Sequence, residues 1–241
     1  MWKILDTGQN SAQHNMELDK KLLEALKPDD APMLHFYDWE RESATYGYFI
    51  KYEQFIDTKK VLKKNIDICR RPTGGGILFH QFDLAFTVLI PAGYPGFSEN
   101  TLKNYALVNR GVQEAVGSIL KENEKAELLE ADPQPLSDRC RHFCYAKPTI
   151  YDVMIGSKKV AGAAQRRKKQ GLLHQGSISI QAPNLDYLRE ILIDNESLIT
   201  AFSQNSFSLL PYDAPPSDRH QMRQVLKEGL KQAFTKESSI L

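Results

Sequence analysis

A cysteine with cationic neighbours is the first candidate for chemistry in this sequence. Cys144 lies in the segment RCRHFCYAKP, close to Arg141, His142 and Lys147. Cationic neighbours favour the thiolate, which is the nucleophilic form of a cysteine. The alternative is a buried cysteine that acts as a small apolar side chain, as free cysteines commonly do. Cys144 is therefore a candidate nucleophile.

The same segment also offers three potential soft metal ligands, Cys140, His142 and Cys144. They are separated by single residues, whereas zinc hairpins typically use Cys-x-x-Cys spacing, and a fourth ligand is not apparent. We therefore predict no metal at this position.

A glycine-rich stretch is the second candidate, with the sequence CRRPTGGGILFH. Its glycines, Gly74, Gly75 and Gly76, permit a positive φ and allow a ligand to lie against the backbone, where N–H groups can bind an anion. Arg70 and Arg71 add guanidinium groups that suit a carboxylate or a phosphate. The alternative is a tight turn between strands with two solvated arginines.

A lysine in the segment KKVAGAAQRR is the third candidate. If Lys158 faces solvent, strand alternation turns Lys159 to the other face. A lysine there can hold an acyl carbonyl oxygen or a phosphate as negative charge develops. Gly162 and the two alanines after it leave room for a ligand, although periodicity alone favours two surface lysines.

Two further basic features follow along the chain. The first is His174, which precedes Gln175 and Gly176. It could line the pocket or act as a base, but a structural histidine is the simpler interpretation. The turn from Arg166 to Lys169 carries four positive charges. It is either a solvated turn or a docking point for an acidic protein partner.

Composition narrows the class of protein. The chain has 241 residues, a net charge of +1, 41% hydrophobic and 25% charged residues, which are ordinary globular values without a general attraction to nucleic acid or membrane. Neither a transmembrane-length apolar run nor a signal peptide is recognisable. Three cysteines argue against a disulfide framework and favour a cytoplasmic setting.

Periodicity predicts an α+β fold. The clearest helices are predicted from Ser11 to about Leu26, from Thr101 to about Lys121, and from near Ser217. Strands are predicted at 2–5, 33–39, 44–50 and 84–90, and a three-stranded meander at 151–180. A short helix is predicted at 51–64. No linker separates two comparable halves, so we expect one domain over residues 1–241.

Taken together and in order, these segments resemble the biotin/lipoate A/B protein ligase family. The resemblance rests on RRPTGGGILFH, KKVAGAAQRR, LLHQGSI and the N-terminal DTGQNSAQHNMELDKKLL. It implies a mixed, mostly antiparallel curved sheet with flanking helices, as in class II aminoacyl-tRNA synthetases and biotin ligases. It also implies enzymes that place an octanoyl or lipoyl group on a lysine of a carrier domain.

The resemblance assigns roles to individual residues. Lys159 matches the lysine that contacts the acyl carbonyl, and Cys144, with Pro148 and Tyr151 after it, resembles the cysteine of octanoyltransferases that form an acyl-thioester. The implied acyl-binding or adenylate-binding residues are Arg70, Arg71, Thr73, Gly74, Gly75, Gly76, His80, Asp152, Gly162, His174 and Gly176.

Three functions follow from the resemblance. The favoured one is a transferase that works through a Cys144 thioester and needs no cofactor, since adenylating ligases often continue into an accessory domain. The second is an ATP-dependent lipoate-protein ligase with Mg²⁺, because Asp152 lies where such ligases tend to carry Asn-Asp. The third is a non-catalytic lipoyl-binding protein.

The implied partners are proteins and acyl donors. The acceptors are lipoyl carrier domains, from 2-oxoacid dehydrogenase subunits and the glycine-cleavage H protein. The donors are acyl carrier protein or free lipoate or octanoate. We expect no nucleic-acid or membrane partner.

Overall fold

The computed structural model describes residues 1–135 and 137–236. These residues form six helices: α1 Ala12–Ala25, α2 Thr58–Lys63, α3 Thr101–Gly117, α4 Leu185–Ile191, α5 Glu196–Asn205 and α6 Pro216–Lys236. They also form ten strands: β1 Lys3–Asn10, β2 Met33–Trp39, β3 Ser43–Tyr46, β4 Asp67–Arg70, β5 Ile77–His80, β6 Asp83–Pro91, β7 Ala126–Leu128, β8 Val153–Ile155, β9 Lys158–Lys168 and β10 Gly171–Ser179. In this part of the chain no helix combines the length and the apolar character that a membrane span requires.

The described strands assemble into two sheets. The larger has seven strands in the order β1-β2-β6-β10-β9-β8-β7, and the smaller has the order β4-β3-β5. In the larger sheet β1 and β2 are parallel and the other neighbours are antiparallel. In the smaller sheet β3 is parallel to β4 and antiparallel to β5. The predicted α+β class with a mixed, mostly antiparallel sheet and flanking helices is confirmed.

The main hydrophobic core lies between the larger sheet and helices α3 and α6. Strand β6 is buried along its whole length and pairs with β2 and β10. Val112 from α3 and Leu230 from α6 are fully buried in the same cluster as Phe86 of β6. Burying each such side chain stabilises the fold by about 1.5–3 kcal/mol. Leu102 of α3 and Val225 of α6 follow the apolar spacing of their helices but are 44% and 42% exposed.

The smaller sheet and α1 cover the opposite side of the larger sheet. Helix α1 begins as predicted, because the Ser11 side chain accepts a hydrogen bond from the N–H of His14 at 3.2 Å. The helix contacts β3, β4, β6 and β10. A second core cluster, which includes Ile77, Phe143 and Phe202, lies under the smaller sheet. The two sheets therefore face each other across a gap.

Two predicted elements end differently in the structure. The strand predicted to reach Ile50 ends at Tyr46, because the next residue, Gly47, lies directly against the backbone of Gly74 and Gly75. The helix predicted over residues 51–64 is divided into a 3₁₀ turn at Tyr52–Gln54 and α2, which begins where the Asp57 side chain caps two N–H groups.

Candidate active site

A cleft with an empty volume of about 420 Å³ lies between the two sheets. Its apolar lining includes Met16, Tyr37, Trp39, Leu78, Tyr145 and Ala164. Its polar lining includes Thr45, Arg71, His80, Cys144, Lys159, Gln175 and Ser177. A lining that is mainly apolar, with a few polar groups, suits a small organic ligand.

Lys159 is buried in the wall of this cleft. Its Nζ donates to Asp152 Oδ2 at 2.7 Å and to the carbonyl oxygen of Cys144 at 2.8 Å. The lysine side chain is 4% exposed and the aspartate side chain 3%. Lys158 points elsewhere, since its Nζ donates to the Ser203 carbonyl. The predicted alternation of the two lysines is therefore confirmed.

Gly162 is required by this arrangement. A Cβ at this position would lie 2.4 Å from Lys159 Nζ and 2.6 Å from Asp152 Oδ1. The missing side chain thus makes room for the lysine itself, so the space that the sequence attributed to a ligand is occupied by Lys159. Gly162 acts by letting Lys159 fold back over β9.

Cys144 is held beside the glycine segment. Its backbone N–H donates to the Ile77 carbonyl at 3.0 Å. A Cβ on Gly76 would lie 2.5 Å from the His142 carbonyl oxygen, so a glycine allows the two segments to approach. The Cys144 side chain is partly exposed at the cleft, and its Sγ lies 3.9 Å from Arg71 Nη2.

Arg71 joins the glycine segment, β3 and the cysteine. Its Nη1 donates to the Thr45 carbonyl and hydroxyl at 3.1 and 2.7 Å. Its Nη2 donates to the carbonyls of Gly74 and Gly76 at 3.2 and 2.7 Å. The side chain is 5% exposed. The guanidinium is therefore fixed in place and puts a positive charge beside the sulfur.

A chain of hydrogen bonds continues from Thr45 along the wall of the cleft. The Thr45 hydroxyl lies 2.8 Å from His80 Nε2, and His80 Nδ1 lies 2.8 Å from Asp83 Oδ2. The Ser177 hydroxyl donates to the same carboxylate at 2.7 Å. Burial alone would raise the pKa of Asp83, but the charge of His80 and these hydrogen bonds lower it. The direction of the pKa shift is therefore downward. His80, predicted from the sequence, thus belongs to a buried polar chain.

Gln175 lines the cleft although the sequence did not single it out. Its Oε1 accepts from the Thr73 hydroxyl at 2.7 Å, and its Nε2 donates to Asp19 Oδ2 at 2.6 Å. Asp19 also accepts from the hydroxyl of Thr87 at 2.7 Å. Strand alternation could have indicated Gln175 as a pocket residue, because Gln175 and Ser177 share one face of β10.

His174 points away from the cleft, which corrects its prediction as a pocket residue or base. It lies on the opposite face of β10 from Gln175 and packs near Phe86 and Tyr105. Its Nδ1 lies 2.7 Å from Gln165 Nε2, and its Nε2 has no hydrogen-bond partner within the described ranges. Burial lowers the pKa of His174 to about 3, so it is neutral at pH 7.

The buried neutral His174 predicts an acid-sensitive fold. The unfolded chain binds a proton near the ordinary histidine pKa of about 6.5, whereas the folded protein does so only near 3. The stabilisation is therefore complete above pH 6.5 and is lost as the pH falls towards 3. We expect the loss to approach about 3 kcal/mol at pH 4. Urea unfolding between pH 7 and pH 4 measures it. The H174F variant should lose less stability over this range, and an equal loss would contradict the prediction.

Arg70 and the three glycines of the glycine segment do not line the cleft, which differs from their predicted role in acyl binding. Arg70 is exposed, and its guanidinium lies over the Tyr48 ring at 4.7 Å from the centroid. It therefore lines a neighbouring open groove with Lys20 and Arg166 and does not line the cleft. Gly75 has the predicted positive φ, at 85°.

Gly176 lies in the cleft wall with its backbone. A Cβ on this residue would lie 2.3 Å from the ring of Phe86, which belongs to the main core. The absent side chain therefore accommodates the core on the far face of β10, whereas the sequence suggested space for an acyl tail.

Asp152 is not arranged as a magnesium ligand. Its Oδ2 accepts from Lys159 and from the N–H and hydroxyl of Thr149 at 2.7 and 3.1 Å. Within residues 1–135 and 137–236 no three His, Cys, Asp or Glu side chains form a metal-binding group. These contacts make Asp152 a partner of Lys159.

Comparison with known proteins gives the family of this site. The profile described as lipoyl protein ligase A/B catalytic domain matches residues 11–231. The chain belongs to this family. Its curated relatives include the octanoyltransferase LipM of Macrococcus caseolyticus, 27% identical over 98% of this chain and 86% of the relative. LipM of Staphylococcus aureus is also 27% identical, over 97% and 87%.

Solved structures of the family share the fold. Lipoate-protein ligase A bound with ATP superposes with a TM-score of 0.71 at 21% identity, covering 98% of this chain and 86% of that one. The bipartite lipoate protein ligase of Thermoplasma acidophilum, studied with its E2 lipoyl domain, gives 0.70 at 21% identity, covering 98% and 84%. At 21% identity these similarities show a shared fold.

Proposed function

We propose that the protein moves an octanoyl or lipoyl group onto a lysine of a lipoyl carrier domain through a thioester on Cys144. The observation that carries this proposal is a cysteine in the wall of a mainly apolar cleft, with Arg71 beside its sulfur and Lys159 at its backbone carbonyl. Cys144 Sγ is 3.9 Å from Arg71, and its carbonyl accepts from Lys159. The LipM relatives support octanoyl as the acyl group. Residues 1–241 would act as a single catalytic domain.

In the first half of the reaction, the Cys144 thiolate attacks the carbonyl carbon of an acyl thioester on acyl carrier protein. A new carbon–sulfur bond forms, the donor carbon–sulfur bond breaks, and the donor leaves as a thiolate that takes up a proton. Acyl transfer between thioesters needs neither redox chemistry nor a cofactor, and it keeps the acyl group activated.

In the second half, the ε-amine of the carrier lysine attacks the Cys144 thioester. An amide bond forms, the bond to sulfur breaks, and the amine loses a proton while the thiolate returns. Since an amide is more stable than a thioester, this half drives the overall transfer. The acceptor amine must reach Cys144 from the open side of the cleft.

We assign Lys159 the role of stabilising the oxyanion that forms in both halves of the reaction. An ammonium has three N–H donors, and two of them go to Asp152 and to the Cys144 carbonyl. The third can donate to an acyl oxygen bound at Cys144. A fixed positive charge in a buried site stabilises a developing oxyanion far better than one in water.

The ATP-dependent ligase remains the second candidate because of its shared fold. The residues present do not fit the predicted role of Asp152 towards Mg²⁺, since Lys159 and Thr149 already occupy its Oδ2. We therefore derive no step through a nucleotide or a metal. The exposed Arg70 and the partly buried Arg166 both line the groove and remain available to an anionic ligand there.

The transferase and the ligase require different acyl donors, and only the ligase requires ATP. One experiment can therefore distinguish them. A lipoyl domain is incubated with the protein and octanoyl-acyl carrier protein without ATP, or with the protein, free lipoate, Mg²⁺ and ATP. Intact mass reports modification of the acceptor. We expect modification in the first tube. Modification only in the second would establish the ligase, and binding without modification in either would favour the non-catalytic alternative.

The positive charges around the groove next to the cleft predict where an acidic carrier protein approaches. Three residues of the predicted basic turn, Arg166 to Lys168, instead end strand β9. Of these, Arg167 pairs with Glu99 and Lys168 pairs with Glu24. Arg70 and Arg166 instead lie around Tyr48 at the mouth of the groove. We expect these two arginines to dominate attraction of an acidic protein at the groove, because the charges of Arg167 and Lys168 are locally neutralised and Lys169 does not line the groove.

The R70E/R166E variant tests this attraction. We expect KM for the acyl carrier protein or the lipoyl domain to rise about tenfold at low salt, with a smaller change at high salt where charges are screened. The matched control is K121E, which reverses an exposed charge beyond the end of α3. Equal effects of the two changes at low salt would refute the docking hypothesis.

A further inference from the structure

A second cavity with an empty volume of about 470 Å³ lies next to the cleft. Most of its wall is apolar, with Ile77, Phe79, Phe82, Leu188 and Phe202. Its polar lining comes from Gln81, Asp83, Ser179, Gln181 and Ser206, and the Asp83 carboxylate already pairs with His80. Such a lining suits a hydrocarbon chain and disfavours a charged ligand.

Two side chains separate this cavity from the cleft. Leu78 and Tyr145 line both spaces, and each is only partly buried. Strand β5 runs between the two, with Phe79 on the cavity side and His80 on the cleft side. The partition formed by Leu78 and Tyr145 is therefore one side chain thick.

The other walls of the cleft are held more firmly. His80 stacks on Trp39 with 4.1 Å between ring centroids, and it is bonded to both Thr45 and Asp83. Leu78 makes no polar contact that fixes it, because its side chain is apolar. The Tyr145 hydroxyl lies 3.3 Å from the Ser177 hydroxyl. Leu78 is therefore the wall residue whose side chain can be shortened with the least disturbance of the cleft.

We propose that the partition of Leu78 and Tyr145 sets the length of the acyl chain. The cleft accepts the chain bound to Cys144, and the second cavity accepts the methyl end of a longer chain once the partition is open. The occupant of the second cavity is therefore an acyl tail of more than eight carbons. This inference rests on the proposed transfer through Cys144.

The L78A variant tests the partition. Acylation of Cys144 by octanoyl-, decanoyl- and dodecanoyl-acyl carrier protein is followed by intact mass in single-turnover experiments. We expect the dodecanoyl-to-octanoyl rate ratio to rise about tenfold over the wild type, because the removed methyl groups open apolar space. L78V is the milder variant, with a smaller rise of the same sign if L78A unfolds.

A filling variant identifies where the longer chain goes. Ser179 lines the second cavity and not the cleft, so L78A/S179L closes the cavity while leaving the truncated partition in place. We expect this double variant to lose the gain for dodecanoyl. An unchanged ratio in folded L78A, or a gain that persists in L78A/S179L, overturns the inference. A wild type that fails to accept octanoyl would instead refute the proposed function.

Discussion

Replacing Cys144 by alanine is expected to abolish acyl transfer from acyl carrier protein to a lipoyl domain. The proposed route has no alternative nucleophile, so the rate should fall by at least about 10³-fold, as for other covalent catalysts. The measurement is the initial rate of acceptor modification by intact mass. Folding should change little, because the sulfur is partly exposed and Arg71 keeps its carbonyl partners.

Cys69 provides the matched control for this substitution. It is also a free, partly exposed cysteine, but burial and the charges of Asp67 and Glu17 raise its pKa to about 11. It is therefore protonated at pH 7 and a poor nucleophile. The C69A variant should keep transfer close to the wild-type rate. Full activity of C144A would remove the thioester from the account.

Replacing Lys159 by methionine is expected to lower both activity and stability. Removal of the ammonium takes away the assigned donor to the oxyanion, which predicts a loss of about 10²–10³ in the rate of Cys144 acylation. It also leaves the Asp152 carboxylate buried without its partner. Breaking a buried ion pair in this way costs about 3–5 kcal/mol.

A second variant separates these two effects. In K159M/D152L the orphan carboxylate is also gone, so we expect most of the stability to return while acylation remains slow. Urea denaturation gives the free energy of unfolding, and single-turnover mass measurements give the acylation rate. If the double variant regained activity together with stability, Lys159 would be a structural residue and its assigned role would be wrong.

The sequence singled out Cys144 and Lys159 as candidates, and the structure places both in the wall of the cleft. Periodicity alone favoured a surface position for Lys159, and the cation beside the sulfur is Arg71, which lies 73 residues away along the chain. The ion pair with Asp152 could not be predicted in the same way. It depends on the register between β8 and β9, which shifts next to Met154. The same carboxylate therefore suggested a metal ligand from the sequence alone.

The glycines show a related limit. A run of three glycines indicates close approach of backbone, but it does not say what approaches. The structure places the His142 carbonyl against Gly76 and the Gly74 and Gly75 backbone against Gly47. These partners are distant in sequence, so only the folded structure reveals them. Much of the glycine pattern thus serves contacts within the protein.

The pocket residue on β10 was missed because two adjacent residues of this strand were equally possible from the sequence. His174 and Gln175 are adjacent on β10, and a histidine carries the stronger chemical signal. The face of β10 that meets the cleft is fixed by pairing with β6 and β9, and this face presents Gln175. The choice between neighbouring residues on a buried strand therefore required the register.

The most direct test of the account is the intact mass of the protein itself after mixing with octanoyl-acyl carrier protein in the absence of ATP, with acid quenching. We predict a gain of one octanoyl group, located on Cys144 by peptide fragmentation and lost when a lipoyl domain is added before the quench. Modification of the lipoyl domain without this adduct, or an adduct on another residue, would contradict the central role of Cys144.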